Sequence, residues 1–212
     1  MGGSGFYEYT INGVNWYNTN NFTGLPAGTY NVRIRDQFHP SCFYVINPSL
    51  TISEPAPLRA TVLEYDVTGC YGNRNGAIVI SNPSGASGLY EFSIDGGNIW
   101  QTSNDFTGLP AGEYDVRMRD RNDHTCNVFL LRVVLTQPVQ MSATIVTQSP
   151  QCANSNDGTI SIINPRNGSG QYQYSIDGGT NWYDQGNFTG LDGGSYRVMI
   201  RDGNNLSCVS IL

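Results

Sequence analysis

Between residues 113 and 120, apolar Tyr114, Val116 and Met118 alternate with Asp115, Arg117 and Arg119. A period of two puts one set on each face of a strand. The same alternation returns at Tyr30, Val32 and Ile34 and again at Tyr196, Val198 and Ile200. Tyr90, Phe92 and Ile94 alternate likewise, as do Ala77 and Val79 within a more mixed run. No stretch of about 12 residues carries a clean helical stripe. For the middle of the chain the pattern predicts strands near 58–65, 76–82, 89–95, 99–103, 113–120 and 127–135, with a short strand or turn around Phe106. Twenty-five Gly and ten Pro supply tight connecting turns.

These strands recur because the chain repeats itself. Residues 7–42, 90–126 and 172–208 are three versions of one segment, with Trp16, Trp100 and Trp182 at spacings of 84 and 82 residues (100 − 16 and 182 − 100). Residues 57–83 also match 140–165. A repeat of this length is a whole small domain, so the chain reads as an array. The predicted units are a partial one at 1–55, a complete one at 56–138, and one at 139–212 lacking its last strand. The pattern reads either as a window on a longer array or as units whose missing strands come from a neighbouring chain. Six or seven short antiparallel strands per unit predict an all-β fold of tandem immunoglobulin-like β-sandwich domains. GLPAGEY at 108–114 has the form of a tyrosine corner entering a penultimate strand. Short proline-bearing junctions at 53–57 and 136–140 predict a semi-rigid, extended array.

A net charge of −6 argues against nucleic-acid binding through phosphate neutralisation. All eleven basic residues are Arg, which removes Schiff-base chemistry, a phosphate-loop lysine and Lys–Asn isopeptide staples. No apolar run approaches the roughly 20 residues of a membrane span. Cys70 and Cys126 are 56 residues apart (126 − 70), and so are Cys152 and Cys208 (208 − 152). Cys42 matches Cys126 and Cys208. The equal spacing predicts one disulfide within each unit, Cys70–Cys126 and Cys152–Cys208, in an oxidising extracellular compartment. Free buried thiols are the alternative. A zinc site is disfavoured, since no CxxC pair is present and neither histidine falls in the third copy.

SIDGGNIW at 93–100 and SIDGGTNW at 175–182 fit the Asp box of sialidase-type propellers, where the motif itself is structural. Here Asp95-Gly96-Gly97 reads as a hairpin turn needing positive φ. The first copy, at 10–16, has Asn12 in place of the Asp. Core packing is the expected use of the three Trp, and sugar stacking the alternative. Asp120, Asn122 and Asp123 are hard oxygen ligands on one short loop and form a calcium candidate. The alternative is a turn whose Asp satisfies backbone N–H groups. Glycosylation sequons stand at Asn21, Asn167, Asn187 and Asn205. No catalytic set and no cofactor motif recurs between the copies.

The ordered run Y-x-Y-S-I-D-G-G-x-x-W, then F-x-G-L-x-A-G-x-Y-x-V, then D…C, resembles the SprB repeat of large Bacteroidetes surface adhesins. The upstream CYGNRNGAI (70–78) and CANSNDGTI (152–160) are similar to its C-x-G-x-x-x-G-x-I part. Departures fall at Leu191-Asp192-Gly193-Gly194 and at Ala153. The resemblance implies type IX secretion, display at the bacterial cell surface, and a non-enzymatic role as stalk or filament in adhesion and gliding motility. It defines no ligand residues. Neighbouring repeats, surface glycans or head-to-tail self-association are the partners that fit. The alternatives are a carbohydrate-binding β-sandwich module and an Asp-box glycosidase fragment, which would need paired carboxylates in a pocket.

Overall fold

The computed structural model describes residues 3–152 and 155–212, so Ala153 lies outside the described residues. No described residue is helical. The chain divides into two compact units, Met1–Pro57 and Leu58–Leu212.

In Leu58–Leu212 the first six strands are β4 (Arg59–Tyr65), β5 (Gly76–Ser84), β6 (Tyr90–Ser93), β7 (Asp105–Leu109), β8 (Gly112–Asp120) and β9 (Asn127–Leu135). They form two antiparallel sheets, β4-β5-β7 and β6-β8-β9. An immunoglobulin sandwich divides its strands the same way, with one further strand beyond β7. The period-two alternation decides which residues meet between the sheets. Ile78 and Ile80 of β5 face Phe92 of β6, Val116 and Met118 of β8, and Val133 and Leu135 of β9, all buried in one core. Arg117 and Arg119 alternate onto the other face of β8.

The next six strands repeat the plan: β10 (Ser142–Gln148), β11 (Gly158–Arg166), β12 (Tyr172–Ser175), β13 (Asn187–Leu191), β14 (Met199–Asp202) and β15 (Val209–Ile211). Their sheets are β10-β11-β13 and β12-β14-β15. A second core gathers Met141, Ile160, Ile162, Tyr174, Val198 and Ile200. In both repeats the first strand pairs through a bulge, between Arg59 and Thr61 and between Ser142 and Thr144. The facing Asn82 and Asn164 hold φ at 52°, a left-handed conformation that Asn tolerates better than most residues. Proline follows each, at the bulged end of the strand, where a missing N–H does least harm.

Two strand expectations change. Residues 99–103 form no strand, and Gln101 makes a single bridge to Phe92 as the chain leaves the tight turn. The third repeat does not lack its last strand: β15 is present but only three residues long. Beyond it Leu212 N–H donates to the Val198 carbonyl (3.1 Å), and β14 covers four residues where β8 covers nine.

The unit Met1–Pro57 holds β1 (Tyr7–Thr10), β2 (Gly28–Asp36) and β3 (Phe43–Ile52) in one sheet equivalent to β6-β8-β9. Without a facing sheet in the unit, Tyr9, Val32 and Ile34 are only half-buried, beside an open cleft of about 910 Å³ lined by Tyr7, Tyr9, Ile34, Phe43 and Tyr44.

This difference in cover predicts a difference in cost. Ile80→Ala should destabilise its repeat by about 2–5 kcal/mol, because a fully enclosed side chain leaves a cavity. Ile34→Ala should cost clearly less. Denaturant unfolding of the two variants checks this, and equal losses would contradict the single-sheet description of the first unit.

Candidate functional site

The Asp-box segment is a self-contained turn. The Ser93 hydroxyl donates to Asp95 Oδ1 (2.7 Å) and accepts from Gly97 N–H (2.9 Å). Asp95 Oδ1 accepts from the N–H groups of Asn98 and Ile99, both at 3.0 Å. Gly96 and Gly97 take φ of 77° and 97°, and a Cβ on Gly97 would come within 3.2 Å of the Trp100 ring. Ser175, Asp177, Gly179 and Trp182 repeat this network, and Thr10 with Asn12 performs it in the first copy. The carboxylate is thus spent on backbone donors, as expected of a hairpin turn.

The three Trp are not in the core. Each is half-buried on the outer sheet face, with an Arg guanidinium over its ring: Arg35 on Trp16 (4.4 Å), Arg119 on Trp100 (4.3 Å) and Arg201 on Trp182 (4.4 Å). The indole N–H of Trp100 donates to the Gly97 carbonyl, and that of Trp182 to Gly179. Glu8, Glu91 or Gln173 holds the guanidinium from the neighbouring strand. The core expectation failed because the indole N–H must reach a polar partner, which the outer face provides. One face of each indole ring is thus covered by a cation.

The tyrosine corner is present in all three copies. Tyr30, Tyr114 and Tyr196 each donate to the carbonyl four residues upstream, on Pro26 (2.6 Å), Pro110 (2.8 Å) and Asp192 (3.0 Å).

The calcium candidate is occupied by its own backbone. Asp120 Oδ1 accepts from Asn122 N–H (2.7 Å) and Asp123 N–H (3.0 Å), while Oδ2 accepts from Ser87 N–H (2.7 Å). Asp123 Oδ1 is taken by Thr125. Asp36 and Asp202 hold the same position in their copies, with three and four donors. Bonds from Ser87, then from Asn122 and Asp123, hold Asp120 at about 2, and Ser4, Phe38 and His39 do the same for Asp36. For Asp202 desolvation opposes the lowering, and the bonds from Ser169, Asn204 and Asn205 outweigh it. Among the described residues no group of three acidic, His or Cys side chains is placed to hold a metal.

The cysteines depart furthest from expectation. Cys70 bonds to Cys208, with Cα atoms 5.0 Å apart and a sequence separation of 138, while Cys42, Cys126 and Cys152 are free and exposed. The expected pairs within a repeat, Cys70–Cys126 and Cys152–Cys208, are not formed. Cys70 follows β4, whose end lies beside the end of β9: Val67 N–H donates to the Thr136 carbonyl and Gly72 N–H to Gln137 Oε1. Cys126 precedes the start of β9. The nine residues of β9 therefore separate the two sulfurs by about 30 Å, against the roughly 4.4–6.8 Å between Cα atoms that a disulfide allows. Cys208 lies in the β14–β15 hairpin of the next repeat, and that end faces Cys70. A recess of about 500 Å³ lies there, lined by Cys70, Tyr71, Val139, Met141, Asp202 and Cys208. In the chain-entropy picture a loop this long stabilises by at most about 5 kcal/mol. The sequon residue Asn205 also sits at the junction, its Nδ2 3.7 Å from Cys70 Sγ. Asn167 donates to the Gln140 carbonyl, and Asn187 accepts from Ser161 in β11. Local desolvation, then the Asp123 carboxylate, push the Cys126 thiol up, which suits a structural rather than a nucleophilic cysteine.

Fold and junction define a class: a β-sandwich repeat protein with a cystine between its second and third repeats. The SprB repeat family model matches residues 66–98 and 144–181, so these two segments are similar to SprB repeats. SprB repeats are a non-catalytic repeat family found in cell-surface, adhesin-related proteins. No curated protein matches the chain. Among the described residues no helix is long and apolar enough to cross a membrane.

The buried aspartates make the stability pH-dependent. Their value in the folded state is depressed, so their contribution is in place above the ordinary 3.8 and is lost as pH falls towards about 2. Asp120→Asn should lower the melting temperature at neutral pH and flatten its fall between about pH 4 and pH 2. Circular-dichroism melts across that range test this, and an acid limb as steep as the parent's would count against it.

Proposed function

We propose that this chain is a load-bearing segment of a bacterial surface adhesin, serving as stalk or filament in adhesion or gliding rather than in chemistry. The observation that carries this reading is the cystine across the repeat junction. Tension applied at the two ends reaches Cys70, crosses to Cys208 and bypasses the residues between them. Two sandwich cores are thereby held in series by a covalent shunt. A binding module or an enzyme gains little from such a link, whereas a stalk that must keep its length gains directly.

Other features agree. The recurring Asp-box carboxylates, the loop aspartates and the corner tyrosines are each engaged with backbone groups. The SprB matches point to the cell surface, where an oxidising environment preserves disulfides. Neighbouring repeats of the same kind are the partners this role calls for.

Pulling the intact chain by its ends in a force spectrometer tests the reading. Without reductant, the 138-residue span between Cys70 and Cys208 should contribute no length. Reductant should release it, adding about 480 Å of contour at about 3.5 Å per residue. Equal final lengths under both conditions would show that the cystine carries no load.

A further inference from the structure

We infer that the free cysteines Cys152 and Cys42 are docking points for further repeats. Each repeat presents an upstream cysteine at one end and a downstream cysteine at the other, and the array is joined by upstream-to-downstream cystines. The occupant is another repeat of this type, seated end-on. The inference rests on the junction geometry and stands whether or not the array serves adhesion.

The bonded pair shows what each half looks like when engaged. On the upstream side, Cys70 opens a turn in which Asn73 N–H donates to the Cys70 carbonyl at 3.2 Å. At Cys152 the corresponding bond runs from Ser155 N–H to the Cys152 carbonyl, also at 3.2 Å. On the downstream side, Cys208 N–H donates to Asn205 O (2.9 Å) and Asp202 N–H donates to Cys208 O (3.0 Å). Cys126 reproduces this through Asp123 (3.0 Å) and Asp120 (2.9 Å), and Cys42 through His39 (2.8 Å) and Asp36 (3.1 Å). The free positions thus hold the backbone geometry that is bonded at the junction, and they are exposed. The middle repeat cannot satisfy its own two cysteines, because β9 keeps them at opposite ends, and in the third repeat Cys208 is already bonded to Cys70. The contact is heterologous: an upstream end meets a downstream end and never its own kind, which generates open filaments.

Bond formation is thiol–disulfide exchange. The two thiols lose two protons and two electrons and form one S–S bond. A small-molecule disulfide such as oxidised glutathione takes both and leaves as two thiols.

The test uses two variants of the full chain. In one, Cys42→Ser and Cys126→Ser leave Cys152 as the free thiol. In the other, Cys126→Ser and Cys152→Ser leave Cys42. All three positions are exposed and outside both cores, so the variants should fold as the parent does. Mixed equally with oxidised glutathione, they should give the Cys152–Cys42 dimer several-fold above its statistical share, read by intact mass and non-reducing peptide maps. Homotypic or statistical mixtures, or no covalent dimer, would overturn the proposal. So would a Cys70–Cys126 peptide from the parent chain.

Discussion

A nine-residue strand, β9, sets the terms for this molecule. It joins the end of a repeat that carries Cys126 to the end that carries Cys70, and its length exceeds any disulfide's reach. The sulfur chemistry of a repeat is therefore directed outward, towards its neighbours along the chain. Cys70 is instead bonded to Cys208 of the next repeat, beside a recess that Met141 helps to line. A cystine inside one sandwich would only stabilise that sandwich. A cystine between two of them also fixes their spacing and routes tension past both cores.

The polar chemistry of the repeat serves the same end by closing off loose backbone. In a fold made of short strands, many N–H groups at turns have no ladder partner, and burying them unpaired is costly. Asp95 and Asp177 answer this at the hairpin, Asp36, Asp120 and Asp202 beneath the next loop, and the tyrosine hydroxyls at the corner. Each of these carboxylates accepts from backbone donors of its own loop, as a turn-closing side chain does. On the outer face, Arg119 lies between Trp100 and Glu91, covering a large aromatic ring with a charge that water tolerates.

Much of this was legible in the chain. Alternation at Tyr114, Val116 and Met118 identified β8 and its buried face, the Gly pair after Asp95 identified the turn, and GLPAGEY identified the tyrosine corner. The carbonyl that each tyrosine contacts is four residues away, so local sequence sufficed. The Trp assignment failed because periodicity says which residues are apolar, not whether an indole N–H can find a carbonyl inside. The end of the third repeat was misjudged because three residues are too few to display a period.

The sequence by itself determined the repeat, the strands, the turn chemistry and the sandwich class, since all of these depend on contacts or periodicities within a few residues. Only the tertiary structure decided which sulfurs meet. Equal spacing along the chain measures contour, whereas a disulfide is decided by the few ångströms between two Cα atoms in space. That distance is set by the direction of β9 and by how one repeat abuts the next.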